Sequence, residues 1–351
     1  MALDIYSTHV LNRLVETMLR PNRFLLDTFF PSVSLSETET IYFDTKTGKR
    51  RISAFVSPLL QGKLVEDLGY KTESFSPAYI KDKRVFDPSK PFKRRAGESM
   101  GGSMSAGARL NAMIADSMAD QMDMLSRRQE VMASEVLRTG KCTISGEGYG
   151  TVVVDFGRDP DLTVTLTGAA AWGNAGINPI EDIEDWSNLI LQSEGVVSTD
   201  IVMDVSAWRK FKLGLKMADP DPRINVGELL DMRRANLGAN MDTVLAAQIG
   251  AQYMGTDGRH RYWVYSDWYV DPADDTEKPV LPANTVLLGS AGIDGVRHFG
   301  AIRDEDAGYQ AREVFTKSWV EPDPSVRYVM MQSAPLLVPY RKNASLCATV
   351  A

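Results

Sequence analysis

The chain has 351 residues, 44% hydrophobic and 24% charged, with a net charge of -7; these globular values exclude wholesale disorder, and the length fits about two domains that need no covalent staples. The acidic balance argues against a chain built to grip nucleic acid, because neutralising phosphates takes clustered Lys and Arg, although a container for nucleic acid can itself be acidic. Cys142 and Cys347 lie far apart without zinc-binding spacing, no apolar run reaches a membrane span, and MALDIYSTHV lacks the regions of a signal peptide, so a reduced, intracellular protein with no metal and no membrane segment is expected.

Positions 8 to 20, THVLNRLVETMLR, set Leu11, Leu14, Val15, Met18 and Leu19 on one helical face, and Pro21 ends the run. The FLLDTFFP stretch that follows is too apolar for a free terminus. This arm must dock on its own body or on a neighbour, and Phe29 and Phe30 are its candidate contacts between subunits. Ile41 to Phe43 and Arg51 to Val56 read as two strands of a hairpin joined by DTKTGKR, with Thr47-Gly48 as the turn.

From Gln61 to Arg95 no apolar period is sustained. Nine basic residues, Lys63, Lys71, Lys81, Lys83, Arg84, Lys90, Lys93, Arg94 and Arg95, stand against five acids, which leaves this stretch at net +4 on an acidic protein. A loop of this length is uncommon unless it is functional or disordered, and resting on an acidic neighbouring subunit would account for both its length and its charge. Short basic runs such as KPFKRR are more often solvated faces than nucleic-acid patches. GESMGGSMSAG then supplies a flexible joint.

Ala106 to Thr139 reads as one helix about 50 Å long. Leu110, Ile114, Met118, Met122, Leu125, Met132 and Val136 fall on one face, and Gly140 stops it. The methionine-rich stripe is core packing rather than a cofactor groove. Positions 141 to 157 alternate as a hairpin, whose GxGxG turn lacks the spacing and the following helix of a dinucleotide loop. Leu162 to Thr167 forms another strand.

Asn178-Pro179 opens a helix as cap and first residue, Glu181 and Asp182 suit its dipole, and Gly195 closes it. A strand at 201 to 205, a helix capped by Ser206, a helix at 227 to 239 and paired strands around TDG at 256 to 258 follow. DPADDTE at 271 to 277 lacks the calcium-loop pattern and reads as a solvated turn. Short strands at 285 to 288 and 296 to 302 precede two longer ones, 312 to 320 and 326 to 332, joined by EPDPS. Helices and strands mix without βαβ repetition, so the fold class is α+β.

Three scattered histidines and the absence of GxSxG, Walker A or HExxH patterns leave no catalytic, cofactor-binding or metal residues to assign. A hydrolase with an unrecognised carboxylate pair would explain neither the basic stretch nor the apolar arm.

FVSPLLQGK at 55 to 63, FSPAYIKDK at 75 to 83, LRTGKCTISGEGY at 137 to 149, VDFGR at 154 to 158, KSWVEPDP at 317 to 324 and MQSAPLL at 331 to 337 carry a resemblance. In their order around one long helix, they resemble the major capsid proteins of lambda-like tailed phages, the phage major capsid protein E family. The resemblance implies the tailed-phage capsid fold: an N-terminal arm over 1–37, a hairpin and extended loop over 38–96, and a peripheral domain with a spine helix over 97–177. An axial domain over 178–308, a peripheral hairpin over 309–341 and a C-terminal strand over 342–351 complete it.

It further implies a virion protein that self-assembles into hexamers and pentamers of an icosahedral shell, first a procapsid and then an expanded head around double-stranded DNA bound without sequence specificity. Scaffolding, portal and decoration proteins would be its partners, and the host cytoplasm its place of assembly. Contacts between subunits are expected from Lys63, Lys81, Lys83, Arg84, Arg94 and Arg95 in the loop, and from Glu321 and Asp323 at the peripheral turn. Reversing Lys81, Lys83 and Arg84 should weaken assembly and leave the monomer folded. Some relatives crosslink this loop through a lysine, for which Lys63 and Lys71 are the candidates, though nothing in the sequence specifies a crosslink. The rival reading of the same fold is a bacterial nanocompartment shell.

Overall fold

The computed structural model describes residues 7–18, 23–38, 40–47, 52–53, 55–59, 61, 64, 69–94, 98, 104–146, 148–218, 250–323 and 325–351. Its helices are α1 (Thr8–Thr17), α2 (Phe24–Phe29), α3 (Ala106–Thr139), α4 (Pro179–Ser193) and α5 (Val205–Ala218). Helix α3 has the bounds its apolar spacing predicts. The Ser105 hydroxyl accepts from the Ala108 amide at 3.2 Å to cap its start, and Gly140 ends it in the left-handed region at φ 66. A Cβ at position 140 would lie 2.5 Å from Cβ of Arg158, so both conformation and space require glycine there.

Two cores are strung along α3. Toward its N-terminus, Ile114, Met118 and Met122 pack with Leu11 and Val15 of α1 and with Phe86, Val329 and Met331. The last three come from an antiparallel sheet in which Ser325–Ser333 lies between Phe315–Pro322 and Ile80–Phe86. Toward its C-terminus, Met132, Ala133, Val136 and Leu137 meet α2 and a sheet of six strands. The methionine stripe is therefore core.

The six strands run in the order Thr163–Thr165, Leu346–Thr349, Thr285–Gly289, Asp200–Met203, Arg261–Tyr265 and Ala251–Thr256, with mixed parallel and antiparallel pairing. Their side chains alternate between two apolar environments. Ile201, Met203, Tyr262, Val264, Val286, Leu288, Leu346 and Ala348 face α4 and α5. Val202, Trp263, Tyr265, Leu287 and Cys347 face α2 and α3. Burial on both faces explains why these strands read as continuous apolar runs. A third sheet pairs Gly295–Phe299 with Pro335–Pro339 and, in parallel, with Ser32–Leu35, which follows α2.

Three expectations need correction. Ile41–Thr47 pairs antiparallel with Gly69–Phe75, not with residues 51 to 56, whose described members lie outside any strand. A local turn signal named the wrong partner for a pairing that spans more than twenty residues of sequence. Helix α5 is capped by Asp204 rather than Ser206: the Asp204 carboxylate accepts from the amides of Ser206 at 2.8 Å and Ala207 at 2.9 Å. The strand predicted over 162 to 167 shortens to Thr163–Thr165 behind a 3-10 turn at Pro160–Leu162. The predicted helix at 227 to 239 and most of the glycine-rich joint lie outside the described residues.

Candidate functional site

The basic stretch is a structured edge. Ile80–Phe86 is the outer strand of its sheet, so successive residues turn to opposite faces. Lys81 and Lys83 stay exposed, with the Lys81 ammonium 5.5 Å from the Tyr79 ring centre and that of Lys83 5.0 Å from the Tyr328 ring. Arg84 turns the other way, onto Asp120 of α3, and also reaches the Met124 sulfur at 3.4 Å. The triple reversal would thus also set a glutamate at 84 against Asp120, an exposed like-charge pair that costs the monomer roughly 0–1 kcal/mol. Arg94 is exposed and donates to the Glu98 carbonyl. Lys63 and Arg95 lie outside the described residues. Glu321 and Asp323 sit exposed at the tip of the long hairpin, whose Phe315–Pro322 strand packs on α1 of the arm near its other end, where the Thr316 amide donates to Asn12 at 2.7 Å.

Phe29 and Phe30 are not available to a neighbour. They retain 1% and 0% of their surface, packed with Phe24, Leu25 and Leu26 into the core between α3 and the six-stranded sheet. The arm docks on its own body because the two strand ends beside it are cut back to glycine: a Cβ on Gly289 would lie 2.8 Å from the Phe29 ring, and one on Gly295 would lie 2.1 Å from the Phe29 carbonyl oxygen.

A polar knot locks this seat. Glu130 of α3, fully buried, accepts from the amides of Leu25 at 2.9 Å and Leu26 at 3.0 Å, which caps α2, and from the Tyr265 hydroxyl at 2.9 Å. Burial pushes its carboxyl up to about 7 against the pull of those donors and of Arg23. Arg23, itself buried, pairs with Asp123 of α3 and with Asp267 at 3.3 Å. Sequence reasoning passed over Glu130. Its signal is that Ala133 and Leu137, three and seven residues on, widen the apolar face of α3 to enclose it.

The segment between the paired strands carries the opposite character. Ile52, Phe55, Leu59 and Leu64 are almost wholly exposed and Val56 partly so. Alongside α3, residues Tyr79, Ile80, Val131, Met132, Ile144 and Pro335 line a groove of about 280 Å³ rimmed by Arg128 and Glu135. Large apolar side chains held in water are the signature of a surface completed by another molecule.

One constellation has the residue types of a hydrolytic triad. Asp257 contacts Nδ1 of His260 at 2.9 Å, and Nε2 of that ring lies 3.1 Å from the Ser187 hydroxyl. Burial works against the Asp257 carboxylate, but His260, two backbone amides and Tyr262 donate to it and hold it well below the usual range. Ser187 and His260 are buried, and the Ser187 oxygen accepts from the Ser198 hydroxyl at 2.8 Å. The buried Ser187, Ser198 and His260 thus form a hydrogen-bonded network that ties α4 to the start of the Arg261–Tyr265 strand. In the acidic turn, Lys278 bridges Asp271 at 2.7 Å and Asp274 at 2.9 Å. Among the described residues no cluster of three His, Cys, Asp or Glu could hold a metal, and no helix is long and apolar enough to cross a membrane.

Comparison with known proteins follows the same lines. Residues 7–350 match the family model of phage major capsid protein E. The chain is 30% identical over 345 residues to the major capsid protein of Escherichia phage N15, and 29% identical over 343 residues to that of Escherichia phage lambda, covering 96% of both chains in each case. The crystal structure of a prophage capsid protein from E. coli CFT073 superposes with a TM-score of 0.76 at 23% identity, over 100% of both chains.

Proposed function

The chain belongs to the phage major capsid protein E family, and from that membership we propose that its copies form hexamers and pentamers that close into an icosahedral shell, passing from a procapsid to an expanded head around double-stranded DNA. The coarser role, a major capsid protein of a phage virion, follows from the family itself. In this reading 1–37 is the arm, 38–96 the extended loop, 97–177 and 309–341 the peripheral domain, 178–308 the axial domain and 342–351 its last strand. Scaffolding, portal and decoration proteins act with it in the host cytoplasm. The nanocompartment alternative gains nothing from relatives that match as phage capsid proteins over 96% of the chain.

The observation that carries this reading is the loop. Ile52, Phe55, Leu59 and Leu64 stand in water in a single chain. Burying each on a neighbour contributes about 1.5–3 kcal/mol before ordering costs, more than the roughly 0–1 kcal/mol of an exposed ion pair. Apolar anchoring by the loop, with Lys81, Lys83 and Arg94 as a charged rim, therefore replaces a contact built on charge alone.

Electron microscopy and light scattering of the purified chain, expressed with and without the neighbouring scaffold gene, test the proposal. Closed shells of uniform size are expected. Phe55→Ser with Leu59→Ser should abolish them while circular dichroism and thermal midpoint stay at parent values. A parent chain that stays monomeric under both conditions would refute assembly; normal shells from the double variant would refute anchoring by the loop.

A further inference from the structure

Two small exposed surfaces on this chain complement each other. The first is the turn Lys90–Phe92, in which Phe92 remains 78% exposed between Lys90, Lys93 and Arg94. The turn is rigidly presented. Pro91 is buried and its carbonyl accepts from Arg109 of α3 at 3.3 Å, while the Asp87 carboxylate accepts from the Ser89 amide at 2.7 Å. An aromatic ring fixed in water in this way is not a by-product of floppy chain.

The second is the two-stranded hairpin of Trp268–Val270 and Glu277–Pro279. Tyr269 packs against the core, so the strand's alternation sends Trp268 and Val270, each 55% exposed, out on one face. Lys278 holds the turn closed through Asp271 and Asp274. Asp275 and Glu277 remain exposed and make no ion pair among the described residues, so the apolar face has a negative rim.

We propose that the Phe92 turn of one copy docks on the Trp268 hairpin of a neighbouring copy, with Phe92 against Trp268 and Val270 and with Lys93 and Arg94 facing Asp275 and Glu277. The inference rests on the assembly reading and names one of its contacts. The high exposure of Phe92 and Trp268 shows that the two surfaces do not cover each other within one chain. Self-pairing of either surface would bring like charges together, which disfavours a two-fold contact of turn with turn or hairpin with hairpin. Unlike surfaces on one chain give a head-to-tail contact, the type that closes rings. An aromatic anchor inside a rim of complementary charge is also the usual anatomy of a specific interface.

The test uses full-length Phe92→Cys and Trp268→Cys chains, purified separately, mixed, assembled and oxidised with copper phenanthroline. The native cysteines, Cys142 and Cys347, are buried and give little background. A disulfide-linked dimer is expected only in the mixture, together with an about tenfold fall in shell yield for Lys93→Glu with Arg94→Glu and its recovery when Asp275→Lys with Glu277→Lys is added. Shells without the mixed dimer, or a fall in yield that the compensating reversal does not restore, would overturn the contact and leave the assembly reading standing. No shells from the parent chain would overturn that reading and this contact with it.

Discussion

Glu130→Ala is expected to lower the unfolding free energy by about 3 kcal/mol or more at pH 5 and by much less at pH 7.5. At the lower pH the substitution leaves the Leu25 and Leu26 amides and the Tyr265 hydroxyl without their buried acceptor, each orphan costing about 1–3 kcal/mol. The smaller loss at the higher pH follows from the carboxyl's displacement. In the folded chain it titrates near 7, against 4.5 for its ordinary value. A carboxyl raised on folding contributes stability that is full below the unfolded value and is lost as pH rises toward the folded one. Between about pH 4.5 and 7 the parent should therefore lose about 3 kcal/mol through this single group, and above pH 7 the variant has less left to lose.

Glu130→Gln separates the two effects. It keeps the volume and one acceptor, turns an amide group toward a backbone N–H, and removes the titration. Urea unfolding of all three chains at pH 5 and 7.5 measures this. Equal losses at the two pH values for Glu130→Ala, or a parent-like slope for Glu130→Gln, would show that the buried carboxylate does not govern the arm's seat.

The long helix was legible because its signal is local and redundant: an apolar period sustained over seven positions and a glycine after it. The six-stranded sheet was legible as strands but not as a sheet. Val202 and Ile201 are equally apolar, and only the sheet's position between two cores tells which faces α3 and which faces α5. The partner of Ile41–Thr47 was illegible because Thr47-Gly48 is a valid turn signal, and nothing nearby says that the chain runs on to Gly69–Phe75 before pairing. At α5 the sequence reading carried the strand to 205 and put the cap at Ser206, whereas the strand ends at Met203 and leaves Asp204 to take the role. For the arm, sequence posed the right question about Phe29 and Phe30, and its answer lay in glycines more than 250 residues away.

Those glycines yield the second large effect. Gly295→Ala should destabilise the chain by about 3 kcal/mol or more and release the arm, although it adds a single methyl group. Gly295 pairs with Pro339 in its strand with the arm directly above, so the new Cβ would lie 2.1 Å from the Phe29 carbonyl oxygen and 2.6 Å from the Phe30 ring. Neither obstacle is the far end of a flexible side chain. The backbone of α2 must lift, and lifting it withdraws Phe29 and Phe30 from a close-packed core and the Leu25 and Leu26 amides from Glu130, so overpacking at one point opens cavities at several. Gly107→Ala is the internal control: it sits in α3 with nothing within 4 Å of a new Cβ, so the same methyl should be neutral or stabilise by up to about 1 kcal/mol. Chemical denaturation gives the energies, and limited trypsin digestion reads the arm directly, because Arg23 is buried in the parent and becomes a cleavage site once α2 lifts. Parent-like stability and an uncut Arg23 in Gly295→Ala would mean that the seat yields to one methyl without releasing the arm, and the close approach would no longer account for glycine at that position.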